Sequence, residues 1–350
     1  MNDRQLEAFI RQVPKVELHV HLEGSIPPAT LLELAQRNAV SLPVSTVEQV
    51  ERWYRFTDFP HFAQVYGTAS KCVRSAQDIE LLARDFAAGQ AAQRIVYTEF
   101  TFTALTHHRN YAISFDDQVA ALDRARLWAE RELDVSFGVI LDIPRDSASP
   151  QHGELLARWL ADNWGGDTLV AIGLGGYEVG FPPQMFQTAF DITARAGVPA
   201  VIHAGETAGP DSIWGAIRAL HTVRIGHGVR CLEDPALVDY LRSQQIPLEV
   251  CPSSNVCLGV VPTLAQHPLP QLIEQGLAVT INSDDPPMFG TSCTDEYLRV
   301  ARTFGYSHEH VATWLRTAAA GVLGSQAKRA AIQQRIAAGI ETARLAALRA

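Results

Sequence analysis

Lysine is almost missing from this chain. It occurs only at Lys15, Lys71 and Lys328, so arginine supplies nearly all of the positive charge. The net charge is −9 and the pI is near 5.7. Such an acidic balance lacks the basic surface that phosphate backbones require, which excludes nucleic acid as an expected partner. Cysteine is sparse as well: Cys72, Cys231, Cys251, Cys257 and Cys293, an odd number with no C-x-x-C pair. That argues against a disulfide framework or a zinc knuckle, and for reduced thiols in a reducing compartment. No run reaches the ~18 apolar residues of a membrane-spanning helix, and the opening MNDRQLEAF has no apolar signal region. The expectation is a cytoplasmic chain with no membrane partner.

What is present is a large apolar fraction, 47% of 350 residues, enough for a sizeable core and too much for disorder. Eight strand-like runs stand out: Val16–Val20, Ile95–Phe102, Val135–Leu141, Leu169–Leu174, Pro199–His203, Val223–His227, Pro247–Cys251 and Ala278–Ile281. Most are continuously apolar, as parallel strands are when both faces are buried. Helical segments lie between them. Ser25, Asp78, Asp116, Asp117, Asp211 and Asp234 are expected near helix starts, and Gly197 just past a helix end. Eight strands alternating with helices predict a single (β/α)8 barrel domain over 1–350, with an open sheet as the alternative. About seventy residues separate the first two runs, more than a crossover needs. The excess includes the aromatic-rich segment Val47–Gly67, expected to form added helices that pack on themselves and cover the barrel mouth. After residue 306 the chain reads as a C-terminal helical extension.

The polar residues fall where such barrels place their chemistry, at the C-terminal ends of strands. The first run ends in His19-Val20-His21, and residues two apart in a strand face one way, so both imidazoles can reach one metal. The fifth ends in His203-Ala204-Gly205-Glu206, the sixth in Gly226-His227-Gly228, the eighth in Asn282-Ser283-Asp284-Asp285. Taken singly, His227 could be a satisfied core histidine, Glu206 a helix-start acid, and Asp284 or Asp285 a cap. Together they are three histidines and a carboxylate, with a further acid pair and histidine, on one face of one barrel. Imidazoles plus a carboxylate suit zinc, with a position open for water. Hydrolases of this kind that hold two metals commonly bridge them through a lysine on the fourth strand. Leu169–Gly180 has none, so one ion is expected.

The stretches VELHVHLEGS, HAGETAGPDSIW, RIGHGV, PLEVCPSSN and NSDDP, in that order from Pro14 to about Phe289, resemble the adenosine deaminase family of the amidohydrolase superfamily. The resemblance implies a zinc-dependent hydrolase that deaminates a small-molecule 6-aminopurine. It implies His19, His21, His203 and Asp284 as zinc ligands. It further implies Glu206 as the acid that protonates purine N1, His227 as the residue that orients and helps deprotonate the attacking water, and Asp285 at N7. Gly176, in GLGGYEVG, corresponds to a backbone donor to N3. The other zinc-deaminase architecture binds its metal through H-x-E and P-C-x-x-C, and this chain has no C-x-x-C.

Glu23 departs from the family pattern. Adenosine deaminases carry Asp there, at the ribose, whereas adenine deaminases often have Glu. EVGFPP (Glu178–Pro183) and VRCLEDP (Val229–Pro235) also resemble the adenine branch, while Gly226 and HAGETAGPDSIW resemble the nucleoside branch. Enzymes acting on 6-amino-6-deoxyfutalosine show the same mixture. The reading ranks a nucleoside, adenosine or aminodeoxyfutalosine, above free adenine. A different amidohydrolase and a non-catalytic ligand-binding barrel remain as alternatives. The ring-nitrogen acid at Glu206 speaks against the first, and the full set of catalytic side chains against the second.

Overall fold

A computed structural model describes residues 1–56 and 59–349. Eight strands follow in order: β1 (Lys15–Glu17), β2 (Ile95–Phe102), β3 (Ser136–Pro144), β4 (Leu169–Gly175), β5 (Ala200–Ala204), β6 (Arg224–His227), β7 (Leu248–Val250) and β8 (Val279–Ile281). Each pairs in parallel with the next. The ring closes just beyond β8 and β1, where Val20 bridges Asp284, the His21 N–H donates to the Asp284 carbonyl at 2.9 Å, and the Asp284 N–H donates to the His19 carbonyl at 3.2 Å. This is the (β/α)8 barrel that the eight apolar runs predict.

The strand ends differ from the sequence reading in two useful places. β1 stops at Glu17 rather than Val20. The Asn282 amide oxygen accepts from the N–H groups of Leu18 (2.9 Å) and His19 (3.2 Å), so a side chain replaces the main-chain ladder there. β3 runs on to Pro144 rather than ending at Leu141, which carries Asp142 into the sheet. The long apolar runs have the expected cause: all eight residues of β2 are buried, between the barrel interior and the helices. A fully buried aliphatic or aromatic side chain of this kind contributes about 1.5–3 kcal/mol.

Between β1 and β2 lie four helices, Pro28–Arg37, Val47–Trp53, Phe59–Ser70 and Ala76–Ala92. Residues 57 and 58 of the expected mouth-covering segment, and residue 350 of the predicted domain, lie outside the described residues. Several caps differ from expectation. Ser75 and Ser114, not Asp78 and Asp116, cap Ala76–Ala92 and Phe115–Leu133, each accepting the N–H of the acid three positions on. The acids sit in the first turn, where the helix dipole favours them. Ser25 caps no helix; it lies in the single turn Glu23–Ser25 and its hydroxyl donates to the His21 carbonyl at 2.6 Å. Asp211 also lies inside its helix, Pro210–Leu220, whose cap position is Gly209. Asp234 does cap its helix, Pro235–Gln244, and Gly197 has φ +79 beyond Gln187–Arg195.

The C-terminal extension is two helices, His308–Gly321 and Gln326–Ala347. An N-terminal helix, Asp3–Gln12, that no sequence pattern announced packs beside them, with Asp3 and Glu7 paired to Arg302. No helix among the described residues is long and apolar enough to cross a membrane.

Candidate active site

His19, His21 and Asp284, just past the ends of β1 and β8, converge with His203, near the end of β5 itself, each offering one ligand atom within 4.8 Å of the others. Asp284 Oδ1 lies 3.5 Å from His19 Nε2 and 3.3 Å from His21 Nε2, and the Nε2 atoms of His21 and His203 face each other at 3.1 Å. His19 Nε2 is buried with no hydrogen-bond partner. Nitrogen lone pairs turned toward one point beside a carboxylate are the donor set of a metal ion, so these residues fit one. The backbone at Asp284 is strained to φ +63, and at His227 to φ +62. Left-handed conformations at non-glycine residues are costly and concentrate at functional sites.

A buried chain of charge supports the cluster from beneath. His19 Nδ1 donates to Glu249 Oε2 at 2.9 Å. The other Glu249 oxygen accepts from Arg224 Nε, and Arg224 Nη1 donates to Glu99 Oε2 at 2.6 Å. Burial opposes the Glu249 charge, but Arg224 and His19 hold its carboxyl below the usual range. This orients the His19 ring and leaves Nε2 free for the metal. Glu17 does the same for β8: Oε1 accepts from the Ser283 N–H (3.0 Å) and hydroxyl (2.6 Å), fixing the residue before Asp284.

Glu206 and His227 face each other across the cluster, His227 Nε2 lying 3.7 Å from Glu206 Oε1 and 3.9 Å from Asp284 Oδ2. Glu206 Oε1 is buried without a hydrogen-bond partner. Burial, with the like charges of Asp284 and Glu178, pushes the Glu206 carboxyl well above the usual range. Burial also holds His227 down to about 3, so its ring stays neutral. The Asn255 amide lies 3.3 Å from His227 Nδ1; as placed it donates there, which leaves the ring proton on Nε2. Gly226 makes the approach possible: a Cβ there would sit 2.7 Å from His19 Cε1. The loop carrying Glu206 is tied down by Glu178, with Arg230 donating to the Thr207 carbonyl at 2.8 Å. Glu178 accepts from the N–H groups of Gly205, Glu206 and Thr207 at 2.8 Å, of Ala208 at 3.3 Å, and from the Ser212 hydroxyl at 2.5 Å.

A cavity of about 360 Å³ opens onto these groups, and Glu23, Gly176 and Asp285 line it too. Phe59, Phe62 and Tyr66, one stripe of helix Phe59–Ser70, form its outer wall. Phe62 also stacks on Phe289 and meets Phe56, so the added helices have their own small core and cover the mouth. Glu23 Oε1 accepts from the Thr103 N–H (2.9 Å) and faces His107 Nε2 (3.2 Å), while Oε2 is buried and unpartnered. Gly24 leaves room for Asp285: a Cβ there would fall 1.5 Å from Asp285 Oδ1. Burial first, and the neighbouring Asp284 next, raise the Asp285 carboxyl. A larger groove of about 570 Å³, between the C-terminal helix and β2, holds none of these groups.

Every site residue singled out in the sequence except His19 therefore lines one cavity, and His19 lies buried within the ligand cluster at its floor. Sequence reasoning missed Glu249, Asn255, Asp142 and the anchoring part of Glu178. A charged residue inside the apolar run PLEVC was the available signal for Glu249. All five cysteines are free thiols. Cys251 is buried, its sulfur within 4.8 Å of ligand atoms of His227 and Asp284, whereas Cys257 is exposed.

Comparison with known proteins agrees with this geometry. Residues 14–339 match the family model described as Adenosine deaminase. The chain is 39% identical over 301 residues to the aminodeoxyfutalosine deaminase of Streptomyces avermitilis, covering 85% of this chain and 83% of that one. It is 37% identical over 303 residues to the adenine deaminase of Bordetella parapertussis, covering 87% and 92%. The crystal structure of an adenine deaminase from Arthrobacter aurescens superposes with a TM-score of 0.88 at 31% identity, covering 94% of this chain and 99% of that one.

Proposed function

The chain belongs to the adenosine deaminase family and hydrolyses a C–N bond of an aminopurine, and from that premise we propose that it deaminates a 6-aminopurine nucleoside with one zinc ion. His19, His21, His203 and Asp284 hold the ion. Zinc bound there supplies Lewis acidity, bringing the pKa of a water toward about 7. The carrying observation is Glu206, buried beside the His19, His21, His203 and Asp284 cluster with its carboxyl held well above the usual range by burial, in a cavity large enough for more than a purine ring.

The residues divide the proton work. Glu206 donates to N1, drawing electrons from C6 so that water can add. His227 orients the water through its Nε2–H; because that nitrogen already carries the ring proton, the deprotonation that the sequence reading shared with His227 falls to Asp284 Oδ2, on the same side. Asp285, its carboxyl raised, donates to N7, and the Gly176 N–H faces N3. Two neighbouring acids held in opposite protonation states, Glu206 and Asp284, is a known device for this task. The proton taken by Asp284 passes to the amine, the C6–N bond breaks and ammonia leaves, and the remaining proton on the new C6 oxygen returns to Glu206, which leaves the 6-oxo product protonated at N1.

Free adenine is the second reading, favoured by Glu23 and by the 37%-identical adenine deaminase. The test is ammonia release by zinc-loaded protein on adenine, adenosine, 2′-deoxyadenosine and 6-amino-6-deoxyfutalosine. A nucleoside ahead by decades in kcat/KM is expected. Adenine ahead reverses the ranking, and silence on all four overturns the assignment.

A further inference from the structure

Asp142 has no part in the chemistry above, yet it lies on the cavity wall. It is 3% exposed, and none of the described residues hydrogen-bonds its carboxylate; Oδ1 is buried outright without a partner. Its place is built rather than incidental. A Cβ at Gly173 would lie 2.6 Å from Oδ1, and one at Gly175 2.6 Å from Oδ2, so two glycines of β4 make room for the carboxylate. A buried acceptor without a donor is expensive, and at a cavity wall a ligand can supply the donor.

The substrate restricts what that donor can be. In a 6-aminopurine nucleoside N1, N3 and N7 are acceptors, and the amino group sits at the metal. The remaining donors are the sugar hydroxyls. Asp142 packs against Gly175, next to Gly176, which in the proposed pose faces N3. N3 and the sugar-bearing N9 are both bonded to C4, so Asp142 is on the sugar side. Glu23 Oε2, also buried and unpartnered, borders the same cavity. Two free acceptors match a vicinal diol better than the single N9–H of a free base.

We propose that Asp142 accepts a hydrogen bond from a ribose hydroxyl and, with Glu23, selects a ribonucleoside over the free base. This rests on the nucleoside reading above. The test compares zinc-loaded wild type and Asp142→Ala on adenosine, 2′-deoxyadenosine, 3′-deoxyadenosine and adenine. The variant is expected to lose roughly 10- to 100-fold in kcat/KM on adenosine, the cost of a lost hydrogen bond that leaves a buried hydroxyl without a partner. On the deoxy analogue lacking the bonded hydroxyl it should match wild type within about threefold, and its adenine rate should not fall. Equal losses on all four substrates, or no loss on adenosine, overturn the Asp142 assignment while leaving the nucleoside reading intact. A loss confined to adenine places N9–H, not a sugar, at Asp142. A wild type that deaminates adenine but neither ribo- nor deoxynucleoside overturns both.

Discussion

Replacing Glu249 by glutamine changes one atom type in a buried side chain, and the structure says why that matters. Both carboxylate oxygens accept: Oε2 from His19 Nδ1–H, Oε1 from Arg224 Nε–H. An amide has one accepting end. If its oxygen meets Arg224, its NH2 meets His19 Nδ1, and the ring either loses its bond or moves its proton to Nε2, the metal-facing atom. If the oxygen meets His19, Arg224 faces an NH2 and keeps only Glu99 as a charged partner. The first outcome weakens metal binding by about 10- to 100-fold, the usual range for such supporting carboxylates, or about 1.4–2.7 kcal/mol. The second costs the metal-free protein about 3 kcal/mol, as breaking a buried pair does. Competition with a chromophoric chelator reads the first, and urea unfolding of chelator-treated protein reads the second. A variant that binds zinc within twofold of wild type and unfolds at the same urea concentration would refute the orienting function of Glu249.

Glu206→Gln should bind zinc as wild type does, yet lose about 10²- to 10⁴-fold in kcat, the span of general-acid catalysis; a near-native rate removes Glu206 from the mechanism. The same residue sets a pH limb. A carboxyl raised by burial stays protonated below its folded pKa and is lost as an acid above it. So kcat/KM should fall as pH rises through that raised value, and activity that climbs with alkaline pH contradicts the assignment. Gly24→Ala keeps an ordinary backbone but sets a Cβ 1.5 Å from Asp285 Oδ1. Displacing that carboxyl should cost roughly 10- to 100-fold in kcat/KM with an unchanged circular dichroism spectrum, and normal kinetics would show that Asp285 does not touch substrate.

How much of this a sequence can show depends on whether the signal is local. β4 was readable because every residue of it is buried and none is polar, which leaves an unbroken apolar run; β2 is buried throughout as well, and its apolar and aromatic residues carried the signal past Thr98, Glu99 and Thr101. The three histidines and the aspartate that the barrel brings together were readable because each stands at or just past the end of such a run. Helix starts were misplaced by a few residues because a cap and a first-turn acid look alike: Ser75 and Asp78 both sit near the start, and only the bond between them decides which is the cap. The end of β1 was misplaced because a side chain from the far end of the barrel, Asn282, interrupts it.

Asp142 and Glu249 were missed for a different reason. A polar residue in an apolar run reads as the end of the strand, as Asp142 did after Leu141, or as noise, as Glu249 did. In a closed barrel it is neither, because the interior brings together strands far apart in sequence. Arg224 on β6 reaches Glu249 on the adjacent β7 and Glu99 on β2, across the barrel. Asp142 on β3 fits against the glycines of β4 only once the register Asp142–Gly173 is known. A lone charge inside a barrel run is therefore itself a prediction. Burial is too costly for it to stand alone, so it requires either an opposite charge from another strand, as Arg224 has, or a ligand, as we argue for Asp142.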